Sequence, residues 1–495
     1  MTESEDIPPP EIAPPIKTSG LGNIAVATKK SGQSGNKLFS GGLGALAVAL
    51  IYYAKTAKVD DPVFLYCGLL MIVGAALPSL LWAKRADNRF PVFEVLMLTG
   101  INTYAIPLLS GHRQLQLYPG DTIMRAATGV LLFQLVANVS YAMTRGRAKT
   151  SPNWTREIMT ANIANYLGYG MIITTAYTII SQFTDWIPYD LNPAIRAVSF
   201  GVGIISTFIQ SRMWGQGTLP RYRKGIFVFQ LVLQVIFSWA ALLLIGGLSI
   251  LILALLGYIS GGKKIPILPL VIVLPIVALL HTGKSVMRAK YWEGGTPMPT
   301  LTEVPAFYAE WVGYAVSPDP EDERIKDKRE GALLLERTSL FHMLCLVADC
   351  TPARQPYLDG ETYGYVPAQL IPSFFWHGKP PSHIATYRLS VYYGLQSPED
   401  TARTTIAFGL LAEAYANFGY FGIVLLAFAQ GFWIKKIGDW SRNSPILSYP
   451  GLFLIVLMAW SFQSELTMAA WISSFYQACI AVIGVPFVLR NFIGG

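Results

Sequence analysis

The chain has 495 residues, of which 52% are hydrophobic and only 14% charged. A soluble domain carries about 25% charged residues, so this deficit excludes a soluble globular class and points to a chain solvated by a bilayer. The formal net charge of +8 does not signal a nucleic-acid binder, because Lys and Arg stand in short clusters between apolar runs, where topology determinants belong.

Residues 1–36 begin with an acidic stretch, Thr2 to Asp6, where a secretory signal begins basic, and contain Pro8-Pro9-Pro10 and Pro14-Pro15. They read as a disordered cytoplasmic tail and not as a cleavable leader. Apolar runs long enough to cross a bilayer, about 17–25 residues each, follow near 38–54, 62–83, 91–110, 122–143, 163–183 and 194–211. The run 225–260 is too long for one helix. Arg221, Arg223 and Lys224 precede it and Lys263-Lys264 follow it, so both ends belong on one side and a hairpin is expected near Gly246-Gly247. Further runs lie near 265–282, 404–432, 447–465 and 468–489.

This reading gives an all-α polytopic integral membrane protein of about twelve transmembrane helices with both termini cytoplasmic. Segments 84–89, 145–156, 212–224, 263–264 and 435–442 then place sixteen Lys and Arg inside, against Lys55, Lys58 and Arg113 outside. That asymmetry is the positive-inside pattern. Helices 1–9 fall in 37–282, a large extracytoplasmic loop in 283–403, and helices 10–12 in 404–495.

A loop this long is functional or disordered as a rule. Its charge run from Asp319 to Glu330 reads as solvated surface, and the Leu- and Phe-rich stretch 331–348 as an interfacial helix lying on or dipping into the membrane. Residues 351–400, rich in Pro, Gly, Tyr and cations, suit either the irregular wall of a binding site or a structural cap. Cys345 and Cys350, five apart on one helix, face away from each other, which disfavours a disulfide. No His or Cys spacing calls for a metal, and no cofactor is expected.

Glu413 is the sharpest single residue. It lies about nine residues into its apolar run, where an ionisable group is costly and marks function by default. A carboxylate there either takes a proton as general base or bonds a neighbouring helix, with Asn417 one turn away as substrate contact or structural partner. Glu94, Arg125 and Arg196, near span ends, are expected to snorkel to the interface.

The block Thr351-Pro352-Ala353-Arg354, Tyr357-Leu358-Asp359-Gly360-Glu361-Thr362-Tyr363, then Ile371-Pro372, Lys379-Pro380, and Leu411-Ala412-Glu413-Ala414-Tyr415-Ala416-Asn417-Phe418-Gly419 with Gly422, together with Arg337 upstream, resembles the oligosaccharide repeat-unit polymerases, the Wzy or O-antigen polymerase family. The likeness covers roughly residues 330–432. Ser373 follows Ile371-Pro372 where that family often has Arg, which puts one cationic contact in doubt unless Arg354 or Arg388 replaces it. The resemblance implies a glycosyltransferase of the bacterial inner membrane that polymerises undecaprenyl-diphosphate-linked oligosaccharide repeat units into a surface or secreted polysaccharide. It implies a lipid-linked oligosaccharide substrate within membrane lipid and no nucleic acid. It leaves open whether a chain-length regulator binds.

On that reading Glu413 and Arg337 are the catalytic candidates. Arg354, Lys379, Arg388 and Arg403 either supply cations for a diphosphate, which Arg binds bidentately, or are plain surface charge. Tyr357, Tyr363, Trp376, His377 and His383 either meet sugar rings and hydroxyls or anchor the loop at the interface. Glu465 is a further candidate. The rivals are an O-antigen ligase, a transferase using a polyprenyl-monophosphate sugar, and a lipid-linked glycan transporter or flippase. Transporters favour internal repeats and interrupted helices around a midplane site, and no repeat relates the two halves of this sequence.

Overall fold

The computed structural model describes residues 31–85, 91–144, 161–184, 186–187, 192–242, 244–264, 266–293, 295–316, 339–372, 375–376, 378–402, 405–441, 444–445 and 447–493. Among them there is no strand. In hydrocarbon every backbone polar group must be satisfied within its own segment, and helices do this.

The long helices, in chain order, are α1 (Ser31–Thr56), α2 (Pro62–Arg85), α3 (Val92–Leu109), α4 (Gly120–Met143), α5 (Ala161–Phe183), α6 (Asn192–Gln216), α7 (Arg221–Ala240), α8 (Leu244–Ser260) and α9 (Ile267–Arg288). After them come α10 (Val304–Val316), α11 (Phe341–Cys350), α12 (Ile384–Tyr392), α13 (Gly409–Trp440), α14 (Tyr449–Trp460) and α15 (Met468–Val488). Every apolar run of the sequence is occupied by a helix. By length and composition, eight of the described helices are able to cross a membrane.

The run 225–260 is a hairpin, but it turns at Ala241-Leu242, where Leu242 adopts φ 57°, and not at the glycine pair. Gly246 and Gly247 are spent on packing: a Cβ at Gly247 would lie 2.4 Å from the Trp239 indole nitrogen. That indole donates to the Leu244 carbonyl at 3.0 Å, closing the turn.

The largest buried cluster joins α2, α3, α4, α11 and α13. Small residues let helices approach closely where lipid supplies no hydrophobic drive between them, and α4 meets α13 along such a seam. A Cβ at Gly129 would come within 2.9 Å of Ile423, and one at Gly431 within 2.5 Å of the Ala137 carbonyl. The Ser140 hydroxyl donates across the same seam to the Phe428 carbonyl at 2.9 Å. Helix α11 is the described part of the Leu- and Phe-rich stretch. Its Phe341, Leu344, Cys345, Val347 and Ala348 are fully buried in this cluster, so the helix is enclosed by protein. Cys345 and Cys350 are both free thiols.

One other expectation changes. Glu94 is only 5% exposed, so it is enclosed in the bundle and does not snorkel. Arg125, partly exposed, reaches back toward the start of α4, donating to the exposed Asp121 at 3.2 Å and to the Thr122 hydroxyl at 2.9 Å.

Candidate functional site

Helix α13 is broken near its start, and the break builds the site. Gly419 has φ 61°, ψ −141°, a non-helical conformation inside an otherwise continuous helix. The break leaves carbonyls of the preceding turn without their intrahelical donors, and buried carbonyls need partners. The loop supplies them: the Leu358 N–H donates to the Ala416 carbonyl at 3.0 Å, and the Asp359 N–H to the Asn417 carbonyl at 3.2 Å. To reach in, the loop turns through two left-handed residues, Asp359 (φ 46°) and Gly360 (φ 92°). Two sequence blocks about sixty residues apart thus meet as one motif.

Asn417 ties them together. Its Oδ1 accepts from the Gly360 N–H at 3.0 Å, and its Nδ2 donates to the Thr362 hydroxyl at 2.8 Å and to the Glu413 carbonyl at 2.8 Å. The side chain is fully buried. Around it, Tyr363 stacks on Phe418 at 6.3 Å, and a Cβ at Gly419 would lie 2.8 Å from the Tyr357 hydroxyl. Gly419→Ala therefore meets both a left-handed backbone and a clash. It is expected to cost about 1–3 kcal/mol, read as a lower melting temperature in detergent.

Glu413 stands one turn before Asn417 with no solvent exposure. Its Oε2 accepts from the Met468 N–H at 2.6 Å, at the N-terminus of α15, where free N–H groups and the helix dipole favour an anion. The Thr362 hydroxyl, which accepts from Asn417, is also a hydrogen-bonding neighbour of the carboxylate, and Tyr363 lies close to it. Burial, and after it the nearby Glu413, raises the Tyr363 hydroxyl above the ordinary phenol range.

Among the described residues, the candidate cations Arg354, Lys379 and Arg388 are committed to partners. Arg354 donates to Asp349 at 2.7 Å, and Asp349 also accepts from the Thr122 hydroxyl at 3.0 Å. Arg388 grips Glu361 bidentately, at 2.7 and 3.1 Å, and that hydrogen bond holds the guanidinium above its ordinary range. Lys379 donates to the carbonyls of Gln369 (3.2 Å) and Ile371 (2.8 Å), and partial burial lowers its ammonium below the usual lysine range. Burial likewise lowers the His383 imidazole, and its ring lies 6.3 Å from Tyr387.

Of the residues singled out in the sequence, Glu413, Asn417, Tyr357 and Tyr363 are brought together. Arg388 joins that group through Glu361, which is next to Thr362 in the chain. Arg354 belongs to a separate network with Asp349, Thr122, Arg125 and Asp121. Arg337, Arg403 and His377 lie outside the described residues. Thr362, Asp349 and Glu361 were missed as partners. Glu361 and Thr362 stood inside the quoted block, and their acidic and hydroxyl chemistry was the available signal. No group of three or more His, Cys, Asp or Glu among the described residues is arranged to hold a metal ion.

Residues 147–443 match a protein family described as Domain of unknown function (DUF8712), and the chain belongs to that family. Neither the curated proteins nor the solved structures contain a match.

Proposed function

We propose that this DUF8712 protein is a membrane glycosyltransferase that joins lipid-diphosphate-linked oligosaccharide repeat units into a polysaccharide. The observation that carries the reading is Glu413: a fully buried carboxylate inside an apolar bundle, held by the Met468 N–H, at the junction of two motifs that resemble those of repeat-unit polymerases. In the proposed arrangement twelve helices span the bacterial inner membrane and residues 283–403 face the periplasm.

The reaction transfers a glycan from its diphosphate lipid to a hydroxyl of the next lipid-linked unit. The acceptor oxygen forms a bond to the anomeric carbon, the bond from that carbon to the diphosphate oxygen breaks, and the acceptor proton passes to Glu413 Oε1. The diphosphate lipid leaves with the bonding electrons. Because the carboxylate is enclosed, this transfer includes a step in which Thr362 and Tyr363 move aside. Arg388 and Arg354 meet a diphosphate by exchanging their carboxylate partners, Glu361 and Asp349, for phosphate oxygens. Such exchange suits Arg, whose planar fork fits either group.

The test is a strain lacking the protein, with its polysaccharide separated on a gel. Single repeat units in place of long polymer are expected. Full-length polymer retained on its lipid carrier would replace this reading by ligation or export.

A further inference from the structure

Inside the bundle, bounded by α3, α4, α13, α14 and α15, lies a cavity of about 320 Å³. Its volume falls in the range of small-molecule sites, but its shape is that of a slot. The α14 wall runs from Phe453 to Ser461, about 12 Å, and α13 lines the slot on both sides of its break, with Leu410-Leu411 before Gly419 and Leu426 to Ile437 after it. A modest volume drawn out over that distance has room for one extended chain.

The two ends differ in chemistry. At one end the wall is Ser461, Gln463 and Ser464, in the turn between α14 and α15, beside Leu411 and Met468. This is the Glu413 end, since the Met468 N–H is the partner of that carboxylate and the Gly409 N–H donates to the Glu465 carbonyl at 3.0 Å. At the other end the wall is Trp433, Ile437 and Phe453, wholly apolar but for one indole. Trp433 is also 60% exposed, so the slot is open to its surroundings at this end.

Between the two ends Thr99, Gln134 and Gln430 also stand in the wall, but most of the lining is apolar, and an empty slot forfeits dispersion contacts along it. Hydrocarbon chains are the solvent at this depth. We propose that the slot holds one hydrocarbon chain of a membrane lipid, its head at the Ser461–Ser464 end and its tail running toward Ile437. The inference rests on the chain being in a membrane and does not require glycosyl transfer. If the chain belongs to a polyprenyl diphosphate, its head is delivered to the neighbourhood of Glu413.

The test uses the full chain, purified and placed in lipid nanodiscs, with two photoactivatable probes: a phospholipid and a polyprenyl diphosphate, each carrying a diazirine in the chain. Adducts are mapped by peptide mass spectrometry. Wild type is expected to carry adducts on slot residues such as Met97, Phe133 and Leu426. Ala429→Trp and Ile472→Trp each fill the slot and are expected to lower those adducts about tenfold, the change that a loss of ~1.4 kcal/mol in binding produces. Leu425→Trp, on the exposed side of α13, leaves them unchanged. Adducts from the polyprenyl probe assign the chain to a carrier lipid, and adducts from the phospholipid alone assign it to bulk lipid. Wild-type adducts confined to the outer surface, or equal slot labelling in folded Ala429→Trp and Leu425→Trp, would overturn the proposal. Polymer length in cells is a separate readout, so a failure here leaves the glycosyltransferase reading standing, and the reverse also holds.

Discussion

Glu413→Gln is expected to reach the membrane in normal amounts and to leave the host with single repeat units in place of long polymer. The two halves of that result have different causes. The structural duty of Glu413 is to accept from the Met468 N–H at the start of α15, and a glutamine carbonyl oxygen does the same with little loss of geometry. What glutamine cannot do is take a proton or carry charge. A positioned general base contributes about 10²–10⁴-fold to rate, enough to remove a polymer ladder altogether. Glu413→Ala separates the roles from the other side, because it also strands the Met468 N–H, and an unpaired buried donor costs about 1–3 kcal/mol. Lower membrane levels are expected for the alanine variant and not for the glutamine one. Normal polymer from Glu413→Gln, at normal protein level, would reduce the residue to a helix cap.

The second large effect is on stability. Asn417→Ala removes the acceptor of the Gly360 N–H, the donor to Thr362 and the donor to the Glu413 carbonyl in one step. Because the groups left behind are buried and lose defined partners, a loss of about 2–4 kcal/mol is expected, measured as thermal unfolding in detergent. Asn417→Asp is the informative companion. It keeps an acceptor for Gly360 but loses both donations and sets a second carboxylate one turn from Glu413, so it is expected to be no better than alanine. Rescue by aspartate to wild-type stability would mean that the acceptor for the Gly360 N–H, with the backbone bonds from Leu358 and Asp359, holds the loop without either donation.

The helices were legible in the sequence because the bilayer imposes their length and their lack of charge. Each apolar run from 38–54 to 468–489 is found helical, and the charges flanking 225–260 gave its hairpin correctly. The position of that turn was not legible. A glycine pair signals a turn equally well whether it makes one or makes room for an indole, and here Trp239 decides between them.

Glu413 stood out because an acid deep in an apolar run has few bland explanations. Asn417 stood out only as its neighbour one turn away. That Leu358 to Gly360 would complete the broken turn of α13 could not be read, since Gly419 at φ 61° is invisible in a sequence that is otherwise a good helix. The pairing of the loop cations was hidden for a related reason. Arg354 finds Asp349 five residues away, but Arg388 finds Glu361 across twenty-seven, and only the folded loop brings that second pair together.

The measurement that bears most directly on the central claim uses purified protein in lipid vesicles, supplied with labelled lipid-diphosphate-linked repeat units extracted from a strain lacking the protein. The account predicts a ladder of products on a gel, with one diphosphate lipid released for each bond formed. Substrate that stays a single repeat unit with wild-type protein, under conditions where the protein is folded and correctly inserted, would contradict it.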